Sequence, residues 1–559
     1  MKENKVKRKM IMKKYIGLSI LAFSFGMTSC NDYLDTLPDD RAEVDTETKV
    51  AQFLVSAYPN RSADMIMEHA SDNIQDNGAQ FAAQDYQGSM YRWEPVLTTS
   101  WESPQWIWNS HYTAIATANQ ALAAIAEQGN PASLNGLKAE ALLCRAYAMF
   151  RLSNVFCMAY DPTKASQYLG LPYPTEPGVS VEDRGTLEEL YAKINADIEE
   201  ALPMVNDAHL KVPKYHFNQK AAYAFAARFN LYYHKYDKAI QYATTAIGSN
   251  PMGVLRNYAQ YMSLAGVDDI NNVYVAAAEP ANFLLITANS INGRAQYSSS
   301  WRRYACHYDI WQRELVRAPG MPWGSGSTNN VLYLARMLYG GSNESVYMPT
   351  MVEFFAVTDK VANTGTPYIV DVAFSADETL LVRAEAYTLK KQYAEALQDM
   401  NYWIENHCRE SYGTATKPTL TEELVNTTFN NIEYTPDTLY TANQRTPKKH
   451  LKPQGFTVES GTQENMIQMV LHMRRIQTWQ RGLRFQDLKR YGIVFSHNIS
   501  GSDPIVFKAG DPRGAIQLPQ DAIKAGIAPN EYGDQTTTAV SEEDKDEMSV
   551  IRESEENKK

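Results

Sequence analysis

The spacing of apolar residues predicts long helices in the first third of the chain. In "LKAEALLCRAYAMFRLS", residues 137–153, apolar side chains recur at intervals of three and four positions: Ala139, Leu142, Leu143, Ala146, Tyr147 and Phe150. This spacing puts them on one face of a helix. A second, Ala-rich helix is predicted over residues 112–128, and the helix-breaking residues 129–131 separate the two. We therefore expect a helical hairpin here.

Two later hairpins resemble each other. Residues 226–247 and 382–404 align with a constant offset of 157, which matches Tyr236 with Tyr393. Small residues where helices cross, together with an aromatic residue at the turn, are typical of tetratricopeptide repeats. Such units stack and bury each other's apolar faces. The sequence therefore predicts a mainly α fold with tetratricopeptide-like hairpins as its scaffold.

Other segments show little periodicity. Residues 251–370 and 410–465 are rich in Asn, Gly, Ser and aromatic residues. Long irregular segments are uncommon in compact proteins and tend to carry function, so we expect the ligand site in these loops. Residues 534–559 are acidic and contain no aromatic residue, which predicts a disordered tail.

The N-terminus is typical of a secretory signal. Residues 1–14 contain seven basic residues and one acidic residue, and residues 15–25 are almost wholly apolar but too few to span a membrane. Residues 27–30 read Met-Thr-Ser-Cys and resemble the lipobox of bacterial lipoproteins, in which the cysteine is acylated after cleavage. We expect removal of residues 1–29 and a lipid anchor on Cys30. The alternative is an ordinary cleaved signal followed by a free cysteine.

Charge narrows the possible partners. The chain has a net charge of −11, and loss of residues 1–29 leaves about −17. Such an acidic protein repels the phosphate backbone of nucleic acids, so no nucleic-acid partner is predicted. The mature chain retains four cysteines, none in a CxxC pair, and we expect buried thiols: Cys144, Cys157, Cys306 and Cys408.

No motif indicates an enzyme or a cofactor. The sequence lacks a His-Glu-x-x-His helix, a Gly-x-Ser-x-Gly elbow and a phosphate-binding Gly-rich loop. Residues 72–78, "DNIQDNG", slightly resemble a calcium loop, but Ile74 occupies a ligand position. We predict a non-catalytic protein without a cofactor, and a structural calcium ion remains an alternative.

The tryptophans suggest a binding platform. Sugars present apolar faces ringed by hydroxyl groups, which aromatic rings and polar side chains can receive. Seven of the nine tryptophans lie in residues 86–109 and 297–333. Those next to helical patterns are expected in the core: Trp106, Trp108 and Trp311. The others are predicted to stack on a ligand, with neighbouring arginines as hydrogen-bond donors: Trp93, Trp101, Trp301, Trp323, Arg92 and Arg302.

Eight segments in order resemble the SusD/RagB family of surface nutrient-binding lipoproteins. They are "CNDYLDTLP" (30–38), "WNSHYTAIATANQAL" (108–122), "KAEALLCRAYAMFRL" (138–152), "LGLPYPTEP" (169–177), "LYAKINADIEEALPMV" (190–205), "RAEAYTLKKQYAEALQDMN" (383–401), "RGLRFQDLKRYG" (481–492) and "GAIQLPQDAIKAGIAPNEYG" (514–533). Three residues depart from the family pattern, and we expect them to affect local packing: Arg481, Tyr491 and Asp521.

The resemblance implies a fold and a function. It implies a SusD-like domain over residues 30–533, with an N-terminal part of about 30–250 and a C-terminal RagB/SusD part of about 251–533. It further implies a lipid-anchored protein on the outside of the outer membrane. Such a protein binds an oligosaccharide and delivers it to a SusC-like TonB-dependent transporter.

The family pattern also adds Asp72 and Asn73 to the predicted ligand-binding residues. Two alternatives stay open. One is a RagB-like protein that binds peptides for import, since aromatic loops suit either ligand. The other is a tetratricopeptide-type adaptor that binds another protein and no small ligand.

Overall fold

The computed structural model describes residues 46–178, 183–297 and 301–532. The predicted signal peptide at 1–29, Cys30 with its predicted lipid, and the predicted tail at 534–559 lie outside these ranges. Within them, no helix is both long enough and apolar enough to cross a membrane.

Helices dominate the molecule. They hold 46% of the described residues against 11% in strands, which confirms the mainly α prediction. The helices found in the described residues are α1 (Glu47–Leu54), α2 (Asp64–His69), α3 (Asp85–Tyr91), α4 (Pro104–Glu127), α5 (Asn135–Phe156), α6 (Leu187–Ala201), α7 (Gln219–Tyr232), α8 (Tyr236–Ile247), α9 (Tyr258–Tyr261), α10 (Val267–Tyr274), α11 (Asn292–Tyr297), α12 (Tyr308–Arg313), α13 (Ala376–Leu389), α14 (Tyr393–His407), α15 (Glu422–Asn430), α16 (Thr462–Gln477), α17 (Arg484–Arg490) and α18 (Gln520–Lys524).

The predicted hairpins are confirmed. Helix α4 packs on α5, α7 on α8, and α13 on α14, and α13 also packs against α8 so that these last two hairpins stack. The two similar hairpins share the geometry of their turns. His234 and Lys391, which are 157 positions apart, both have a φ of 60°. The amide after each one donates to a carbonyl five residues back, over 2.8 Å at Lys235 and 2.9 Å at Gln392.

Thirteen strands complete the described part. They are β1 (Gln75–Asp76), β2 (Asn282–Asn289), β3 (Tyr304–Ala305), β4 (Gly324–Ser325), β5 (Asn329–Asn330), β6 (Tyr339–Ser342), β7 (Ser345–Tyr347), β8 (Phe354–Asp359), β9 (Thr364–Ser375), β10 (Ser411–Tyr412), β11 (Ala415–Thr416), β12 (Phe495–His497) and β13 (Ile505–Phe507). Strands β2, β9 and β8 form an antiparallel sheet in that order, and the others pair two by two.

The prediction for residues 251–370 needs correction. This segment contains helices α9 to α12 and strands β2 to β8, as well as the start of β9. Most of these elements are too short to show a periodic pattern, which needs about 11 residues to be read. One pairing matters for the site: β1 pairs with β3, so that Asp76 lies opposite Tyr304. The tryptophan-rich segments 86–109 and 297–333 meet at the same place, because Arg92 donates to the Tyr304 hydroxyl over 3.2 Å and the Tyr91 ring lies 4.9 Å from that of Tyr304.

The interior holds both apolar and ionic side chains. The four cysteines predicted to be buried are buried and unpaired, which confirms that prediction. Buried arginines pair with buried carboxylates: Arg228 lies 3.0 Å from Glu378, between two hairpins, and Arg383 lies 2.7 Å from Asp399, within one hairpin. These pairs fix the relative positions of α7, α13 and α14, because removing one partner would leave an uncompensated buried charge.

Candidate functional site

Two of the tryptophans predicted to stack on a ligand lie in the interior. Trp93 is 2% exposed; its Nε1 donates to the Ala70 carbonyl over 2.9 Å, and its ring stacks on His497 at 4.4 Å between centroids. Trp323 is 0% exposed and stacks on His472 at 5.6 Å. Neither ring faces solvent in this structure. The prediction that they receive a ligand is therefore corrected, and we assign them to loop packing.

Asp72 and Asn73 are also buried rather than presented to a ligand. The Asp72 carboxylate accepts two hydrogen bonds from Arg484, both of 2.8 Å. The Asn73 side chain donates to Glu68 and accepts from Arg475, again over 2.8 Å in each case. Burial alone would raise the pKa of Asp72, but Arg475 and Arg484 outweigh it and hold that pKa well below its usual range. These two residues join distant segments of the chain.

The turn at residues 72–78 is poorly suited to calcium. Asp72 is engaged by arginines, and Asp76 pairs with Arg303 over 3.2 Å while also accepting from the Ser500 amide. Calcium needs several free oxygen ligands. In the described parts of the chain, no three His, Cys, Asp or Glu side chains cluster in a way that could hold a metal ion.

Three of the predicted residues lie at the surface around β3. Arg92, Trp301 and Arg302 are all partly exposed. The Arg92 guanidinium donates to Glu94 over 3.0 Å and to the Tyr304 hydroxyl over 3.2 Å. Arg302 donates to the Ser342 hydroxyl over 3.0 Å. This group, called the Arg92 surface below, keeps its predicted role in ligand binding as an untested prediction.

Trp101 lies elsewhere, beside Trp106. The two rings are 5.2 Å apart and both are partly exposed. The Arg61 guanidinium lies 3.9 Å from the Trp106 centroid and 5.2 Å from that of Trp101. The expectation that Trp106 is a core residue is wrong, because helix α4 begins at Pro104 and its first turn is only half covered. Trp311 and Trp108 are buried as expected, at 0% and 8% exposure.

A cleft of about 700 Å³ opens next to these rings. We call it the Trp106 cleft. One wall is the exposed side of α4, another is the segment before α2, and the base is the middle of β2. The lining residues used below are Tyr58, Arg61, Trp106, Asn109, Thr113 and Tyr215. Sequence reasoning missed Tyr58, Arg61 and Tyr215, because nothing in their local sequence distinguishes them from other surface residues.

A buried carboxylate fixes one wall of the Trp106 cleft. Glu140 of α5 accepts from the Tyr58 hydroxyl over 2.7 Å, and it lies 2.7 Å from His216 and 3.1 Å from His209. Burial acts to raise the pKa of Glu140, but the hydrogen bonds to His209 and His216 lower it to about 2. The carboxylate is therefore charged at neutral pH and holds Tyr58 and His216 in place.

The chemistry of the cleft suits binding of a polar ligand. Among the described residues that line it, none is Asp or Glu, and its side chains are aromatic, amide, hydroxyl, aliphatic, imidazole and guanidinium groups. Aromatic rings framed by a few polar donors are typical of small-molecule and sugar sites. Glycoside hydrolysis generally requires two carboxyl groups at the reacting bond, which this lining does not supply.

Comparison with known proteins finds a matching family model and solved structures with the same fold. Residues 32–231 match the family model SusD-like_3, described as "Starch-binding associating with outer membrane". No curated protein matches the chain.

Solved structures resemble it over nearly their whole length. A SusD superfamily protein from Bacteroides thetaiotaomicron is 18% identical with a TM-score of 0.56, covering 86% of this chain and 98% of that one. A SusD-like carbohydrate-binding protein from Bacteroides vulgatus is 14% identical with a TM-score of 0.51, covering 83% and 89%. A laminarin-binding SusD-like protein is 16% identical with a TM-score of 0.52, covering 87% and 99%. At these identities the likeness establishes a shared fold.

Proposed function

The chain belongs to the SusD-like family, and we propose that it binds an oligosaccharide in the Trp106 cleft without catalysing a reaction. Two kinds of observation support the proposal. The matching family is described as starch-binding, and relatives of the same fold are described as carbohydrate-binding and laminarin-binding. The cleft itself combines accessible aromatic rings with amide and hydroxyl groups and the Arg61 guanidinium.

The main support for the proposal is that aromatic rings are exposed in a cleft that also contains polar side chains. Tyr215 is 37% exposed, and Trp106 is partly exposed although it is a large aromatic residue. Asn109 and Thr113 are exposed on the same side of α4. The rings can pack on the C–H faces of a sugar, while the amide and hydroxyl groups can exchange hydrogen bonds with its hydroxyl groups. This arrangement requires no chemical step.

We further propose how the protein reaches its ligand. Acylation of Cys30 would anchor the chain to the outer membrane with its folded part facing outside, and a SusC-like TonB-dependent transporter would receive the oligosaccharide. The family description, which names association with the outer membrane, supports the location. Several acyl chains anchor a protein stably, whereas one chain binds only reversibly.

Isothermal titration calorimetry tests the proposed function. The mature chain is titrated with neutral and charged oligosaccharides and, in parallel, with short peptides. A dissociation constant between about 1 μM and 1 mM, or about −8 to −4 kcal/mol, is expected for one glycan class. Trp106→Ala and Tyr215→Ala should each weaken binding about tenfold or more, since they remove the stacking surfaces.

Phe355→Ala is the matched control, because Phe355 is 49% exposed on β8 and does not line the cleft. It should leave the affinity unchanged. Loss of binding on Trp301→Ala but not on Trp106→Ala would move the site to the Arg92 surface. Binding of peptides but of no oligosaccharide would identify a RagB-like peptide binder. If neither oligosaccharides nor peptides bind, the adaptor function is the one that remains.

A further inference from the structure

A second cavity lies on the other flank of helix α4. It measures about 630 Å³ and is formed by α4, the segment before α6 and the region of α18. We call it the Tyr112 cleft. The lining residues used below are Tyr112, Ala116, Pro172, Pro174, Glu176 and Asp521. Its aromatic and proline surfaces are bordered by carboxylates, whereas the Trp106 cleft contains Arg61.

The two clefts share a boundary. Asn109 and Thr113 line both of them. These residues are four positions apart, so they lie one above the other on the same helix face, about 6 Å apart along the axis. Both are exposed, and both have small polar side chains. The ridge between the clefts is therefore low, and its hydroxyl and amide groups can bond to a ligand that passes over it.

The far wall of the Tyr112 cleft is fixed by hydrogen bonds. The Tyr112 hydroxyl donates to the Pro172 carbonyl over 2.9 Å. The Asn119 side chain donates to the Pro174 carbonyl over 2.8 Å and accepts from Arg145 over 2.9 Å. The prolines restrict the same segment further. A wall that is ordered before the ligand arrives loses little conformational entropy on binding. The fixed wall therefore suits a binding surface better than a mobile loop would.

From this continuity we infer that the two clefts are subsites of one track across α4, occupied by a single neutral oligosaccharide long enough to cross the Asn109–Thr113 ridge. The inference rests on the proposed function. We infer a neutral ligand because the two subsites carry charges of opposite sign. A uniformly anionic polymer would meet Glu176 and Asp521 in the Tyr112 cleft, and a polycation would meet Arg61 in the Trp106 cleft.

The test measures affinity against chain length. The mature protein is titrated with a graded series of linear neutral gluco-oligosaccharides, from the disaccharide upward. Short members should bind in the Trp106 cleft alone. Once a member is long enough to enter both clefts, its affinity should rise about tenfold or more, since the second subsite is engaged without a second loss of translational freedom.

Two substitutions separate the track from the first cleft. Thr113→Arg places a bulky side chain on the ridge, and Ala116→Arg obstructs only the Tyr112 cleft. Ala116→Arg should abolish the gain of the long oligosaccharides and leave the short ones unaffected; Thr113→Arg should also abolish the gain. The control is Ala126→Arg, at an exposed position on the same helix about 20 Å beyond the ridge, which should change neither.

Each outcome decides the inference. Equal affinity for short and long members, or a gain that survives both Thr113→Arg and Ala116→Arg, overturns the track but leaves binding in the Trp106 cleft intact. Tighter binding of a uniformly charged polymer than of the neutral series overturns the assignment of a neutral ligand. If no oligosaccharide binds and Trp106→Ala changes nothing, the proposed function fails and the track fails with it.

Discussion

Trp93 shows how one buried aromatic residue can organise a loop. Its ring stacks on His497 and lies at 5.4 Å from Phe495 and 5.3 Å from Phe507, both on the β12–β13 pair. Its backbone has a φ of 54°, a conformation that non-glycine residues rarely adopt unless their surroundings impose it. The side chain therefore connects the end of α3 to the C-terminal strands.

Trp93→Ala should destabilise the protein by about 3–5 kcal/mol, because it removes a fully packed ring and leaves a cavity. Trp101→Ala, at a partly exposed position, should cost about 1 kcal/mol or less. Chemical denaturation followed by intrinsic fluorescence measures both. A stability loss for Trp101→Ala as large as that for Trp93→Ala would show that the pair near Arg61 is structural and does not serve a ligand.

Sequence alone could not separate these two tryptophans. Both lie in the same polar segment without helical period, and their residue type favours either packing or stacking. What buries Trp93 is His497, more than 400 positions later, and no local pattern reports such a contact. Trp106 shows the opposite error, because its helical neighbourhood suggested burial while the first turn of α4 is half open.

At the scale of elements, the turns of the two similar hairpins show the resemblance between those hairpins most clearly. His234 and Lys391 occupy equivalent places before α8 and α14 with the same left-handed backbone. Their side chains differ in surroundings. His234 packs near Tyr160, Tyr236 and Phe456, whereas Lys391 is exposed and pairs with the exposed Glu459.

Replacing each of these residues by glycine should therefore have opposite effects. Lys391→Gly relieves a backbone strain of about 1–2 kcal/mol and should stabilise the fold by up to about 1 kcal/mol after the entropy of the unfolded chain is counted. His234→Gly loses aromatic packing and should destabilise it. Urea denaturation of both variants measures the difference, and a destabilised Lys391→Gly would refute the strain argument.

The predictability of the elements follows their length. Helices α4, α5, α13 and α14 span several turns, so their apolar faces repeat often enough to be recognised. Strands such as β1 and β3 contain two residues each, and their pairing spans more than 200 positions. The sequence therefore predicts the scaffold well but cannot locate the surfaces that these short pairings bring together.

At the scale of the whole molecule, buried polar contacts join segments from opposite ends of the chain. Asp72 and Arg484 are 412 positions apart and form a doubly hydrogen-bonded pair. Arg475 donates to Glu314 over 2.7 Å as well as to Asn73. Residues 475–492, which include the family-like segment at 481–492, thus form a structural centre, in which the basic residues face acidic and carbonyl groups of the scaffold.

Lys489 is a distinctive member of this centre. Its ammonium group donates to the carbonyls of Asn154, Cys157 and Gly514, over 2.8, 3.1 and 3.0 Å. These contacts tie α17 to the end of α5 and to the segment before α18. Burial disfavours the charged form and lowers the pKa of Lys489 to about 7.

The lowered pKa makes stability depend on pH in a defined direction. Below about pH 7 the folded and unfolded states both carry the proton, so Lys489 adds no pH dependence. Between about pH 7 and 10 the folded state releases the proton while the unfolded state keeps it, and stability should rise by up to about 1.4 kcal/mol per pH unit.

Urea denaturation of wild type and Lys489→Met isolates this contribution, since all other titrating groups are shared. The two stability curves should diverge above about pH 7, with wild type gaining. Parallel curves would show that the buried ammonium keeps its proton through three carbonyl contacts alone.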